Sequence, residues 1–345
     1  MSRDMTRETV LVVGAGLAGA ICAHRLRTHG FEPIVFEKSR GPGGRQSTRH
    51  EALGDQHVHF DHGAQYFTVR DPEFARFLDD YRTGDDPVVR SWTAPVVSLA
   101  DGEITGRSEN TDRFVCVPGM NALAKSLTTP LDVRYRTRVE TCERTDDGWR
   151  LTDEEGVELG RGSTLVVTAP ADQALAMLPD AVPLRPALQG IRYAPCWSVM
   201  AHFPRSLDQD FGGAFVDRSA LSWIANNDSK PGRNPDHVAG ESWVLHASPE
   251  WSYAHLDDTR ELIVAKLLVA LSEALGTALP DPDLARAHLW RYALPTASAG
   301  SPCLWDAEWR LAVAGDGCPT GARVEGAFLS GWTAARRIRI DRDER

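Results

Sequence analysis

The residues best placed to do chemistry open the chain. Gly14-Ala15-Gly16-Leu17-Ala18-Gly19 follows an apolar run, Val10 to Val13, and Glu37 stands 18 residues beyond Gly19. Glycines at this spacing between a strand and a helix suit the pyrophosphate of a dinucleotide. Gly14 permits the turn, Gly16 lets the backbone approach the phosphates, and Gly19 lets helix and strand pack closely. The helix N-terminus then faces the negative charge. Glu37 ends a second short strand, Pro33 to Phe36, where a carboxylate can accept from the 2′- and 3′-hydroxyls of an adenosine ribose.

A second group is His57, His59, Asp61 and His62. Three histidines and an aspartate suggest a metal. Strand alternation, however, puts His57, His59 and Asp61 on one face and His62 on the other, which is not a closed ligand set, so no metal is expected. Gly63-Ala64 follows, two small residues where something flat can lie close.

The elements that position these residues read as a nucleotide domain interrupted by two excursions. Asp71-Pro72 caps a helix carrying Phe74, Phe77, Leu78 and Tyr81, followed by mixed polar strands with Trp92. A helix near Asn121 to Leu127 and a hairpin within Val133 to Leu151 come next. The continuous apolar run Thr164 to Pro170 reads as a buried parallel strand, with a helix through Leu175 to Leu178. Strand-like alternation in Trp197 to Phe203, Ala220 to Ala225 and Ser242 to Ala247 predicts a largely antiparallel sheet. Beneath it packs a helix bearing Leu262, Ile263, Leu267, Leu268 and Leu271. Tryptophans 197, 223, 243, 251 and 290 are read mainly as core, though as a group they can also wall a pocket for a planar ring. A strand at Trp309 to Ala314, then Gly315-Asp316 and a helix opening at Arg323 and running to about Ile338, close the first domain. The expected fold is α/β. A discontinuous nucleotide-binding domain covers 1–64, 112–180 and 295–345, and an α+β substrate domain with a mixed or antiparallel sheet covers 65–111 and 181–294.

Composition sets limits. The 345 residues are 42% hydrophobic and 25% charged, as in an ordinary globular chain of about two domains. A formal net charge of −10 argues against nucleic acid or an anionic membrane as partner. Six cysteines (22, 116, 142, 196, 303 and 318) form no C-x-x-C pair, so free thiols and a reducing compartment are expected. The opening MSRDMTRETV has no apolar leader and no run approaches 18 apolar residues, which predicts a cytoplasmic protein without a membrane span.

Lys38-Ser39-Arg40-Gly41 and Gly43-Gly44-Arg45 resemble the second signature of flavoproteins of the glutathione-reductase and amine-oxidase type. That resemblance implies FAD rather than NAD, with Arg45 contributing charge near phosphate or ring. It also implies that Asp316 accepts from a ribityl hydroxyl and that the last helix points its N-terminus at the flavin. With Gly63-Ala64-Gln65-Tyr66-Phe67-Thr68, Ser229-Lys230-Pro231-Gly232-Arg233, Trp243-Val244-Leu245-His246-Ala247 and Arg323-Val324-Glu325-Gly326-Ala327, nearly the whole chain resembles the bacterial renalases, within the amine-oxidase superfamily. This implies a flavoprotein oxidoreductase with non-covalent FAD. Such an enzyme oxidises 2-dihydro- and 6-dihydro-NAD(P) to NAD(P)⁺ and passes the electrons to molecular oxygen, giving hydrogen peroxide.

By that resemblance Asn227 and His246 hydrogen-bond the substrate carboxamide and Trp290 bounds the ring, while Arg291, Arg233 and Lys230 are candidates to attract its phosphates. Cofactor contacts fall on Gly14, Gly16, Ala18, Gly19, Glu37, Lys38, Gly44, Arg45, Gly63, Ala64, Gln65, Val139, Asp316, Arg323, Val324, Glu325 and Ala327. The chain departs from the family in Asp61-His62 and in a longer polar loop, Asn234 to Gly240. The rival readings are an amine or polyamine oxidase, a flavin-binding protein without turnover, and a carotenoid or sterol oxidoreductase. The first would place a lysine near the flavin. Lys38, Lys125, Lys230 and Lys266, the only lysines, offer no good candidate, Lys230 being read in a Pro-Gly turn.

Overall fold

A computed structural model of the chain describes residues 7–108, 111–319, 321 and 323–345. The first six residues of the stretch read as lacking a leader lie outside that range. The described residues divide into two compact units, 1–44 with 123–192 and 295–345, and 45–122 with 193–294.

In the first unit the strand Thr9–Val13 runs directly into the helix Leu17–Thr28, and Glu32–Glu37 returns alongside it. Thr9–Val13 lies inside a six-stranded sheet, parallel to Glu32–Glu37 on one side and to Thr164–Val167 on the other. Val10 to Val13 are all buried, on both faces of the sheet, which explains why the run carries no polar alternation. Leu311–Val313 continues the sheet in parallel, and Leu304–Asp306 closes that edge antiparallel. Asp132–Tyr135 forms the other edge, parallel to Glu32–Glu37. The expected hairpin is present as Thr141–Thr145 and Gly148–Thr152, paired antiparallel and joined by Glu158–Gly162 in a separate small sheet, while residues 133–135 belong to the parallel edge strand. The last helix, Val324–Glu344, packs on Leu17–Thr28 so closely that a Cβ at Gly331 would collide with the carbonyl of Ala18.

The second unit is built on a seven-stranded sheet. Its centre is Arg192–Phe203, Glu241–Ala247, Leu221–Asn226 and Gly213–Val216, all antiparallel, with Val96–Ala100 added in parallel. One face, including Val199, Ile224 and Leu245, packs with the helix Arg260–Leu275 into a continuous apolar core. On the other face Met200 and Val244 are covered by Val58 and Phe60 of the hairpin Thr48–Leu53/Gln56–Asp61. That packing is why residues 45–64 belong to the second unit and not, as expected, to the first. Residues 112–122 move with them, because Phe114–Cys116 pairs with Val89–Ser91 and the Met120 amide donates to Asp61. Residues 181–192 go the other way, since the Arg185 guanidinium is bonded to the carbonyls of Leu175 and Leu178.

Candidate active site

The glycine loop forms a backbone cradle. Gly14 has φ +104°, and a Cβ at Gly19 would run into the carbonyl oxygen of Gly14, so neither position accepts a side chain. A Cβ at Gly16, in contrast, would meet no atom within 4 Å. That is the open approach a pyrophosphate requires. The second glycine loop lies against the first: the Gly43 amide donates to the Ala15 carbonyl at 2.9 Å, and Gly44 at φ +54° sits beside Gly16. The Glu37 carboxylate accepts from the Ala15 amide and from the Ser39 amide, both at 2.8 Å, one on each oxygen. Each oxygen keeps a lone pair for a ribose hydroxyl. The donor set therefore fits the adenosine half of a dinucleotide.

Around this cradle, Lys38 Nζ donates to Gln173 at 3.3 Å, and the amides of Arg136 and Thr137 are tied to the carbonyls of Ser39 and Glu37, just before the buried Val139. Gly315, whose amide donates to Ser330 Oγ at 2.9 Å, precedes Asp316. Arg323 is the N-cap residue of the last helix, and Val324, Glu325 and Ala327 lie in its first turn.

In the second unit a different construction centres on one carbonyl oxygen, that of His62. It accepts from Trp290 Nε1 at 2.9 Å and from His246 Nε2 at 3.1 Å. A carbonyl only accepts, so His246 carries its proton on Nε2 and, when neutral, presents Nδ1 as an acceptor. The His62 ring stacks on Trp290, centroids 5.0 Å apart, and meets His288 edge-on at 5.1 Å. Burial lowers the His246 pKa to about 4 against the bond to the His62 carbonyl. Burial, with Arg49 and Arg260 nearby, takes His288 to about 4. Burial and the neighbouring His288 and Arg49 take His62 to about 3. All three imidazoles are neutral near pH 7, and with Trp290 they make an uncharged aromatic wall.

Behind this wall Asp61, completely buried, gathers charges. Its carboxylate meets Arg233 Nε at 2.7 Å, Lys230 Nζ at 3.5 Å, Thr48 Oγ1 at 2.6 Å and the Met120 amide at 3.2 Å. Burial alone would raise its pKa, but Arg233, Lys230 and the Thr48 hydroxyl hold it below the usual carboxylate range. Burial pulls Lys230 down to about 8 in spite of Asp61.

Several sequence expectations change here. Lys230 and Arg233, candidates to attract phosphates, are instead buried against Asp61, and Lys230, although it adjoins the Pro231-Gly232 turn, is not solvated. Asn227 is wholly buried and committed: Oδ1 accepts from the Asp61 amide at 3.2 Å and Nδ2 donates to the His59 carbonyl at 2.7 Å. These bonds brace the hairpin. Gln65 is likewise spent internally, its amide nitrogen bonded to the carbonyls of Asp61 and Gly63 and its oxygen to Lys230. At Gly63 a Cβ would collide with the Arg45 carbonyl, which also accepts from the Ala64 amide, so packing within the unit already requires the small residue. The Arg45 guanidinium donates to the carbonyls of Tyr292 and Ala293 at 3.2 and 3.3 Å.

His246 and Trp290 are brought together as expected neighbours. His288, and the stacking of His62 on Trp290, lie outside the site residues expected from the sequence. For His288 a signal existed, since it lies two residues before Trp290 and so shares its strand face. Among the described residues no group of three or more His, Cys, Asp or Glu is arranged to hold a metal ion, and no helix is long and apolar enough to cross a membrane.

Comparison with known proteins agrees with the fold described above. Residues 12–81 match the NAD(P)-binding Rossmann-like domain model. Mouse renalase is 24% identical over 301 residues, which cover 84% of this chain and 86% of renalase. A zeta-carotene-forming phytoene desaturase from Myxococcus xanthus is 49% identical, but over only 45 residues, 13% of this chain and 9% of its own. In fold, the chain is similar to cyclohexylamine oxidase from Brevibacterium oxydans IH-35A, with TM-score 0.76 and 13% identity over 98% of this chain and 100% of that one. It is also similar to putrescine oxidase, solved with putrescine bound, with TM-score 0.69 and 14% identity over 99% and 100%. The model for flavin containing amine oxidoreductase matches residues 105–339, and the chain belongs to that family, as an FAD-dependent oxidoreductase.

Proposed function

We propose that this enzyme oxidises the misreduced 2-dihydro and 6-dihydro isomers of NAD(P) to NAD(P)⁺. The observation that carries the reading is the neutral wall in which His246 and Trp290 are both fixed on the His62 carbonyl. A dihydropyridine already has the electron push to expel hydride, so its oxidation needs orientation and no base. A wall of indole and uncharged imidazoles meets that need. The distant likeness to renalase over most of both chains supports the same substrate class. Hydride leaves the ring carbon with both electrons, and oxygen, taking those electrons and one further proton, leaves as hydrogen peroxide. The bound flavin supplies the hydride acceptor and returns the electrons to oxygen.

FAD is held without a covalent bond in this reading, by Gly14, Gly16, Gly19, Gly44, Glu37 and Asp316, with the last helix contributing its N-terminal dipole. Cys318, the cysteine nearest Asp316 in sequence, is buried, and burial pushes its thiol up to about 12, so it offers no thiolate for attachment.

The second reading is an amine oxidase, favoured by the family and by the two oxidases of similar fold. Anaerobic mixing with 2- and 6-dihydro-NAD(P), 4-dihydro-NAD(P) and a panel of amines separates the two. The 2- and 6-isomers should bleach the flavin fastest, at a rate nearly flat from pH 6 to 9 because no proton is removed. Faster bleaching by an amine, at a rate rising with pH as the amine loses its proton, overturns the proposal.

A further inference from the structure

Ser198, His246, Trp223 and Phe215 form one row across the seven-stranded sheet. Ser198 and Trp223 each pair with His246, and Phe215 pairs with Trp223. Directly opposed residues project from the same face, so Trp223 stands beside His246 with Cβ atoms about 5 Å apart.

Trp223 is only 6% exposed, and its indole Nε1 has no hydrogen-bond partner among the described residues. It is the exception among the buried tryptophans. Trp92 donates to Ser229, Trp149 to the Trp309 carbonyl, Trp197 to the His255 carbonyl and Trp243 to Glu241. A buried N–H left unpaired is costly and calls for an explanation. Poor packing does not supply one. The indole is seated on Gly213, where a Cβ would come within 2.7 Å of Trp223 Cζ2, and it is flanked by Tyr66 at 5.5 Å and Phe215 at 4.8 Å between ring centroids. Phe215 is 43% exposed and Tyr66 is only partly buried, so the rings packed against this indole reach the surface of the unit.

Trp223, with an unpaired donor at Nε1, and His246, with an acceptor at Nδ1, are paired residues on one sheet face, and a donor and an acceptor together are the complement of a primary carboxamide, which offers a carbonyl oxygen and an NH₂ on one carbon. We infer that Trp223 is a substrate-binding residue, donating its indole N–H to the carboxamide oxygen while His246 Nδ1 accepts from the carboxamide nitrogen. This rests on the dihydronicotinamide reading, and it adds Trp223 to the residues that can hold the carboxamide.

The test is anaerobic flavin reduction of the holoenzyme by 6-dihydro-NAD and by two analogues of it, a 3-acetyl compound that lacks the NH₂ and a thioamide whose sulfur is the poorer acceptor. Trp223→Phe should weaken apparent binding of the amide and the ketone by about tenfold each, whereas His246→Ala should weaken the amide and leave the ketone unchanged. Wild type should bind the thioamide less tightly than the amide, and Trp223→Phe should lose that discrimination. Binding of the amide by Trp223→Phe within about twofold of wild type, with an unaltered flavin spectrum, overturns the inference and leaves the proposed function standing. If Trp223→Phe does not fold, wild type alone decides, and equal binding of amide and thioamide overturns it. A wild-type flavin that amines bleach and no dihydropyridine isomer bleaches overturns the proposed function, and this inference with it.

Discussion

At Gly14 and Gly19 the first unit makes its site from main chain, and the requirement at each position is the absence of a side chain. At the His62 carbonyl the second unit makes its site from side chains, with an indole and an imidazole arriving from strands far apart in sequence. The two constructions fail differently. A backbone cradle has no redundancy, because one added Cβ displaces the surface that the ligand approaches. A side-chain wall loses one contact at a time, unless the charges beneath it are unbalanced.

The largest effect is expected at the cradle. Gly19→Val places two methyl groups where the Gly14 carbonyl already excludes a Cβ, so the protein should purify without flavin. The ratio of visible to ultraviolet absorbance measures this directly. A variant that retains wild-type flavin content would remove the argument that the loop is a backbone surface.

Beneath the wall the next effect is set by charge arithmetic. Asp61 is one buried anion against two buried cations, Arg233 and Lys230. Asp61→Ala strands both cations and should cost about 3–5 kcal/mol in urea unfolding. Lys230→Met leaves a balanced Asp61–Arg233 pair and should cost clearly less. Equal losses in the two variants would mean that hydrogen bonding to Gln65 and Asn227, and not charge balance, decides the stability of the cluster.

The same contrast explains what could be read from the chain. Gly14, Gly16, Gly19 and Glu37 announce themselves because strand, turn, helix and acid are contiguous, and local spacing is all that the cradle needs. Asp61, Lys230 and Arg233 carry no local signal of pairing. A lysine before Pro231-Gly232 looks solvated until the fold brings residue 61 to it. The resemblance puts Asn227 at the substrate, but nothing local in the sequence shows that its amide also bonds to the backbone of a hairpin some 165 residues earlier in the chain. His246 was legible as part of an alternating strand, but its free nitrogen follows from a carbonyl at residue 62 that no periodicity predicts. The domain boundary at 64 missed for a related reason: the hairpin's apolar face, Val58 and Phe60, finds its partners at Met200 and Val244.

The remaining prediction concerns acid. His62 and His246 have folded pKa values of about 3 and about 4, below the ordinary histidine value of 6.5, chiefly through burial. The unfolded chain therefore takes up protons first as pH falls below about 6.5, while the folded wall stays neutral until about 4. Stability that these two groups leave intact at pH 7 is lost progressively across that window. With two protons the limiting slope is about 3 kcal/mol per pH unit. Lys230 acts at the opposite end: its folded value of about 8 lies below that of the unfolded chain, so its contribution rises with pH above 8. Urea midpoints measured from pH 7 to 4.5 on wild type and His246→Gln isolate one of the two acid-side protons, because carboxylates common to both proteins cancel in the difference. The variant should lose stability less steeply than wild type, by up to one proton's worth, about 1.4 kcal/mol per pH unit. Parallel curves would mean that His246 is protonated in the folded protein, and a charged imidazole on the His62 carbonyl would leave the second unit without its neutral wall.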